Sequence, residues 1–365
     1  MLDIAADLHR WCEQGRPFAV ATVVAVGGSS PREPGAALAV DADGTAVGSV
    51  SGGCVEGAVY DLCQQVLESG KPVLERFGHS DDDAFAVGLT CGGVIDIFVQ
   101  RVDPAADLTF VTGLAAAVAG EAAAVARVVQ GPEGLPGRGL LVRADGTYEG
   151  TLGDPELDRT AVGETRALLD AGRTATVSVR CGEPLTLLVE ASVPPPRMLV
   201  FGAIDFAAAL VRIGRFLGYA VTVCDARPVF ATAARFPDAD EVVVDWPHRY
   251  FDRTAVDGRT VVCVLTHDAK FDVPLLERAL RLPLAYVGAM GSRRTHEDRL
   301  ARLRAAGVTE LELACLHSPI GLDLGARTPE ETALSIAAEI TAHRRGGSGV
   351  PLTGAHTPIH HAPAA

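Results

Sequence analysis

No run of apolar residues approaches the ~18 needed to span a bilayer, and the chain opens with MLDIAADLHRWCEQG. That opening lacks both the basic start and the apolar stretch of a secretory signal. The expectation is a cytoplasmic protein with no membrane partner. A positive surplus is missing too: 32 Lys and Arg face 46 Asp and Glu, for a net charge of −14. Such a surface repels phosphate backbones, which argues against nucleic acid as a partner. The 8 cysteines include no CxxC pair, so a structural zinc site is not expected. In a long cytoplasmic chain they read as thiols rather than disulfides.

The 365 residues, 48% of them hydrophobic, are enough for two or three domains with a sizeable core. Pro194-Pro195-Pro196 is the clearest punctuation, because three prolines continue neither a helix nor a central strand. It divides an N-terminal α/β domain, 1–193, from a C-terminal domain, 197–345. A tail over 346–365 lacks apolar periodicity and reads as disordered; its His356, His360 and His361 are a weak metal-binding candidate.

The first domain carries an internal repeat, with units of about 1–102 and 103–193. Ala37-Leu38-Ala39-Val40-Asp41-Ala42-Asp43-Gly44 parallels Gly139-Leu140-Leu141-Val142-Arg143-Ala144-Asp145-Gly146. In both, an apolar run meets Asp-Gly, a strong hairpin signal, and another glycine, Gly48 or Gly150, follows four residues on. A helical stretch ends in VLESGKP or LLDAGRT, and then Cys91-Gly92 or Cys181-Gly182 leads into a strand. After the linker, short apolar strands at 197–201, 220–224, 241–244, 260–265 and 284–287 alternate with helical stretches. This pattern predicts a Rossmann-like, doubly wound parallel sheet covered on both faces. Thr328-Pro329-Glu330-Glu331 carries a helix-start signature.

The copies differ where chemistry could sit. The first has Ser51-Gly52-Gly53-Cys54-Val55-Glu56 after its hairpin; the second has Gly153-Asp154-Pro155-Glu156. Val55, Val59, Leu62 and Val66 share a helical face, so a helix should begin near Cys54. Gly52 and Gly53 let the backbone turn its amides toward one point, where they and the helix dipole favour an anion. A cysteine in that field should ionise and react more readily, against the bland reading of a small residue in a tight turn. Cys91-Gly92-Gly93, at a strand entrance, is a second candidate, and His79-Ser80-Asp81-Asp82-Asp83 is an acidic loop peculiar to the first copy. Cys63, Cys224 and Cys263 lie in apolar contexts and read as core; Cys12, Cys181 and Cys315 carry no signal.

In the second half, strand 197–201 runs into Gly202-Ala203-Ile204-Asp205, and Asp225 ends the next strand, placed to accept a ribose hydroxyl. The middle glycine of a dinucleotide fingerprint is Ile204, whose side chain would fill the pyrophosphate position. Asp205 would add ~1–4 kcal/mol of repulsion against a phosphate charge at ~4 Å. An NAD site is therefore disfavoured. Across the expected switch point stand His267, after strand four, and Gly288, Gly291, Ser292, Arg293 and Arg294, after strand five. Glycines, a serine and arginines at a helix start suit a phosphate; the alternatives are a helix-entry turn at His267-Asp268 and a solvated face at the arginines. The glycine-rich segment 317–326 could close over the same crevice.

These residues together resemble the XdhC/CoxI family of xanthine dehydrogenase accessory proteins, most specifically in GSVSGGCVE (48–56), LTCGG (89–93), AYVGAMGSRR (285–294) and HSPIGLDLGARTPEE (317–331). The resemblance covers the chain to about Gly347. It implies a maturation factor, rather than an enzyme with its own turnover, that binds molybdenum cofactor in a mononucleotide or dinucleotide form. It would hand that cargo to a molybdenum hydroxylase of the xanthine dehydrogenase or CO dehydrogenase type. It further implies sulfuration with a cysteine desulfurase, and possible homodimers. Gly52, Gly53, Cys54 and Glu56 match the first motif, and Cys91 with Gly92 and Gly93 the second. Cys54 and Cys91 are then the chemical thiols, Cys54 a transient contact to molybdenum. Many relatives have a fuller glycine fingerprint at Gly202, a departure that argues against NAD. An NAD(P)-dependent oxidoreductase and a nucleotide-binding regulator without chemistry are the competing readings.

Overall fold

The computed structural model describes residues 1–28, 32–78, 93–181 and 183–353, with 180, 181 and 183 described by backbone alone. It forms two compact units, and the break between them falls between Pro194 and Pro195. Among the described residues no helix is long and apolar enough to cross a membrane.

The first unit is built twice. In the first copy α1 (Ala5–Glu13) precedes β1 (Phe18–Gly27), β2 (Ala37–Asp41), β3 (Ala46–Gly48), α2 (Glu56–Ser69), β4 (Val73–Gly78) and β5 (Val94–Val102). In the second, α3 (Leu108–Val118) precedes β6 (Ala123–Gln130), β7 (Gly139–Arg143), β8 (Tyr148–Gly150), α4 (Pro155–Asp170), β9 (Ala175–Cys181) and β10 (Glu183–Ser192). The antiparallel sheets run β3-β2-β1-β5-β4 and β8-β7-β6-β10-β9, the same order with corresponding strands. The repeat read in the sequence is therefore a repeat of topology.

Strand β1 is apolar at nearly every position because both of its faces are covered. Ala19, Ala21 and Val23 pack with Val55, Val59, Cys63 and Val66 around α2. Phe18 and Val20 face the other way and pack with Leu8, Trp11, Phe110 and Leu114 of α1 and α3. Burying each large apolar side chain stabilises by ~1.5–3 kcal/mol. Between the sheets, Val24 and Phe98 of the first copy meet Val129 and Leu188 of the second.

The second unit is a six-stranded, all-parallel sheet in the order β13-β12-β11-β14-β15-β16. Its elements are β11 (Arg197–Phe201), α5 (Asp205–Phe216), β12 (Ala220–Asp225), β13 (Glu241–Val244), α6 (Pro247–Arg253), β14 (Val261–Val264), α7 (Ala269–Ala279), β15 (Tyr286–Ala289), α8 (Arg293–Ala305), α9 (Glu310–Leu313), β16 (Leu316–His317) and α10 (Pro329–Arg345). Met198, Val200, Val221, Val223 and Cys263 point to the α5 and α10 side, Leu199, Phe201, Cys224, Val262 and Val264 to the α6, α7 and α8 side. Helix α10 starts on the expected capping box of Thr328 and Glu331, with Pro329 at its first turn.

The second, fourth and fifth strands of this sheet differ at their ends from expectation, as Ala220–Asp225, Val261–Val264 and Tyr286–Ala289. The fifth strand runs to Ala289 rather than ending at 287, so Gly288 lies inside it. A Cβ there would come within 2.6 Å of both Ile320 and the Tyr286 ring, so this glycine makes room for packing. The two-residue β16 was missed, being too short to carry a period.

Candidate functional site

The first copy's loop after β3 is organised by one carboxylate. Helix α2 begins at Glu56, two residues later than Cys54, and Val55 at its N-cap has no side-chain capping bond. Glu56 reaches back over the loop instead. Its Oε1 accepts from Ser49 Oγ (2.7 Å), Ser51 N (2.9 Å) and Gly52 N (2.9 Å). Its Oε2 accepts from Ser51 Oγ (2.5 Å) and Gly53 N (2.8 Å). Ser51 Oγ in turn accepts from Cys54 N (2.9 Å) and Val55 N (3.0 Å). Gly52 (φ +78°) and Gly53 (φ +120°) adopt backbone that a side chain would strain, which is how their amides reach one carboxylate.

This corrects the expectation of amides open to a ligand anion: Glu56 takes them. Burial alone would push the Glu56 carboxyl up, but the hydroxyls of Ser51 and Ser49 and the Ser51 amide outweigh it and bring it down to about 2. Cys54 is half-buried and packs against the α2 core cluster, while Gly52 and Gly53 are exposed. Gly93 is buried just before β5. Cys91, Gly92 and the acidic loop 79–83 lie outside the described residues, as do His356, His360 and His361.

The second copy shows what the loop looks like without the Gly-Gly-Cys run. Asp158, eight residues after Gly150 as Glu56 is after Gly48, accepts from Thr151 Oγ1 (2.7 Å) and Leu152 N (2.7 Å). There the helix start is capped by Asp154, which accepts from Glu156 N and Leu157 N, with Pro155 opening the helix. The matching hydroxyl and acid, Ser49 with Glu56 and Thr151 with Asp158, were the legible signal that motif reading passed over.

In the parallel sheet, Asp225 is not available to a ribose. It is buried and accepts from Ala203 N (2.8 Å), Arg227 N (2.9 Å), Arg227 Nε (2.9 Å) and Arg227 Nη2 (2.7 Å). Burial raises its carboxyl, but the Arg227 bonds and the Ala203 amide hold it below the ordinary value. Gly202 (φ +113°) brings the turn within 3.0 Å of Thr266 for any added Cβ. Ile204 is the N-cap of α5 and packs against the core. The Asp205 carboxylate pairs with Arg235 Nη2 at 3.2 Å, which offsets the repulsion expected from it.

His267 is exposed, and Asp268 beside it is the N-cap of α7, accepting from Lys270 N. Ser292 caps α8, and Arg293 and Arg294 stand exposed in its first turn. Gly291 (φ +155°) lies close to Thr295, where a Cβ would come within 3.1 Å. Sequence reading missed the group behind them. Arg299, buried, donates to Asp272 Oδ2 (3.0 Å), Ser318 Oγ (3.1 Å) and Met290 O (2.8 Å), and Thr266 Oγ1 donates to Asp272. Segment 317–326 is tied down rather than poised as a lid. Glu339 accepts from Gly321 N (2.6 Å) and Tyr286 Oη (2.5 Å) and lies 3.1 Å from His317 Nδ1, while Ile320 N donates to Ala289 O (3.1 Å).

The cysteines read as core are core: Cys63, Cys224 and Cys263 are buried. Desolvation pushes Cys63 and Cys224 up to about 12, and Cys263 further still. Cys12 is buried and Cys315 exposed.

The chain is thus an α/β unit built twice, followed by a Rossmann-like, all-parallel sheet. Residues 198–340 match the XdhC Rossmann domain, and residues 11–78 and 116–180 match the XdhC and CoxI family. The chain belongs to the XdhC and CoxI family. It is 26% identical over 330 residues to a probable xanthine dehydrogenase subunit of Bacillus subtilis, covering 89% of this chain and 93% of that one. It is 26% identical over 331 residues to the molybdenum cofactor insertion chaperone PaoD of Escherichia coli, covering 90% and 84%. A crystal structure described as a xanthine dehydrogenase from Bacillus halodurans superposes with a TM-score of 0.66 at 26% identity, covering 94% of this chain and 96% of that one.

Proposed function

We propose that this chain binds molybdenum cofactor as cargo and delivers it to a molybdenum hydroxylase of the xanthine dehydrogenase or CO dehydrogenase type, with Cys54 as its soft contact. Family membership and a relative that bears the name of a cofactor insertion chaperone support the maturation role. The observation that carries the site is the placement of Cys54. It is the cysteine of the first copy's loop, half-buried between exposed glycines and the α2 core, whereas Cys63, Cys224 and Cys263 are sealed inside. A thiolate suits a soft metal or the transfer of sulfur. The reading includes Cys91 as a second thiol, a cysteine desulfurase as the source of the terminal sulfido ligand, action in the cytoplasm and a homodimer.

The loop's amides are filled by Glu56, so the phosphate of the cargo has no place among them in this arrangement. The engagement of Asp225 by Ala203 and Arg227 counts against a reading as an NAD-dependent oxidoreductase. The test is co-expression of a client hydroxylase with wild-type, Cys54→Ala, Cys91→Ala or doubly substituted chain, followed by its activity and molybdenum content. We expect the doubly substituted chain to leave the client folded but inactive, and Cys54→Ala to shift thermal unfolding by only a few degrees. Full client activity with the double substitution would sink the proposed chemistry.

A further inference from the structure

Glu56 was placed by its motif among the residues that touch cargo, but its hydrogen bonds leave no room for that role. A carboxylate has about four lone-pair sites, and Ser49 Oγ, Ser51 N, Gly52 N, Ser51 Oγ and Gly53 N all donate to it. A saturated acceptor holds its donors in place, and these donors belong to the segment leading into Cys54. The amide of Cys54 is bonded to Ser51 Oγ, which is bonded to Glu56. The second copy supplies the comparison. There Asp158 holds Thr151 and Leu152, at the hairpin end, and Asp154 caps the helix. The copies share one of these bonds, from the hydroxyl of Ser49 or Thr151 to the acid; the bonds to Gly52 and Gly53 belong to the copy in which a cysteine follows.

We propose that Glu56 is the positioning residue of the Cys54 thiol: it holds Ser51, Gly52 and Gly53 in one arrangement and never contacts the cargo itself. The proposal rests on the reading of Cys54 as the cargo contact. It also carries a sign. The Glu56 charge fills the field of the loop amides, which would otherwise favour an anion on the neighbouring sulfur.

The experiment is iodoacetamide labelling of the full chain from pH 6 to 9, read by peptide mapping. Exposed Cys315 serves as internal reference and buried Cys63, inside α2, as the reporter of unfolding. In Glu56→Gln the Cys54 rate at pH 7 should rise roughly fivefold relative to Cys315, the effect of removing one charge at loop distances in partly screened surroundings. The profile should move to lower pH while Cys63 stays protected. Glu56→Asp keeps the charge, and Asp158 shows that this side chain reaches the hydroxyl; it should return the profile most of the way to wild type. Ser51→Ala, which removes the relay but keeps the carboxylate, should change the Cys54 rate with no shift along the pH axis, and it serves if Glu56→Gln does not fold. An unchanged Cys54 rate in both variants, or Cys63 labelling that rises in step, would overturn the positioning role. Cargo retention in Cys54→Ala is measured beside them: full retention there removes the cargo reading, whereas the labelling result stands on its own.

Discussion

Arg127 Nη2 donates to Thr22 Oγ1 at 3.2 Å, and the two residues hold the same place in the two copies of the first unit. The correspondence is set by backbone bonds: Gly35 N bonds to Val23 O as Gly137 N bonds to Val128 O, one residue beyond each. A residue touches its own counterpart only next to a local two-fold axis, the relation that makes isologous contacts self-complementary. The apolar contact of Val24 and Phe98 with Val129 and Leu188 obeys the same relation, as each pair maps onto the other. The copies differ at this point, threonine in one and arginine in the other, and Glu190 Oε2 accepts from Arg127 Nη2 at 2.5 Å while its Oε1 lies 3.0 Å from the Met1 amine.

Removing the acid of that buried group should cost more than removing the arginine. Both side chains are almost wholly buried, and Nε and Nη1 of Arg127 have no hydrogen-bond partner among the described residues. Arg127→Met leaves the Glu190 carboxylate paired with the Met1 amine, 3.0 Å from its Oε1, and should destabilise by ~1–3 kcal/mol. Glu190→Leu strips both Arg127 and that amine of their carboxylate and should destabilise more, by ~3–5 kcal/mol. Urea unfolding of the two variants decides it; equal or smaller loss in Glu190→Leu contradicts the argument.

The glycines that end the third strand of each copy should tolerate no side chain. A Cβ on Gly48 would lie 2.2 Å from Ala37 O, and one on Gly150 would lie 2.5 Å from Gly139 O, both at positive φ. Either alanine substitution should cost ~3 kcal/mol or more, by strain and displaced strand pairing. Gly70, also at positive φ but with nothing within 4 Å of its would-be Cβ, should lose only ~1 kcal/mol as alanine. Denaturant midpoints of the three variants should fall in that order.

Glu56 should make stability depend on acid. Its carboxyl is brought down from 4.5 to about 2 in the folded chain. The stabilisation is therefore complete above the unfolded value near 4.5 and is lost as pH falls toward 2. Because the side chain is partly exposed, solvent screening reduces the contribution to ~1–2 kcal/mol. Between pH 5.5 and 3, wild type should lose about half of that or more relative to Glu56→Gln, as read by urea unfolding at each pH. Parallel losses would show that the loop's hydrogen bonds are weaker than their geometry indicates.

Much of the site was legible in part. The loop Gly52-Gly53-Cys54 was found because glycine pairs before a helical period have few other uses, and the positive φ of both glycines agrees with that reason. The partners of the carboxylates were not found. Whether Glu56 faces a ligand or its own loop depends on how the chain turns back over five residues, and no spacing rule reads that. Asp225 failed in the same way: the acid stands where a ribose would need it, but Arg227 and the Ala203 amide reach it first. Arg299 and Asp272, 27 positions apart, gave no signal, since two charges on different helices look like solvated faces until packing brings them together in the interior.

The sequence by itself determined the duplicated α/β unit, the parallel sheet and the burial of Cys63, Cys224 and Cys263, because these follow from local periodicity and from which side chains avoid water. The tertiary structure alone decided that Gly288 lies within a strand, that segment 317–326 is pinned by Glu339 and Arg299, and that the amides of the Cys54 loop belong to Glu56. The physical reason is common to all three. Hydrophobic burial is non-directional and is written into composition and period, whereas a hydrogen bond needs one donor and one acceptor brought within about 3 Å, and only the folded path of the chain selects which pair that is.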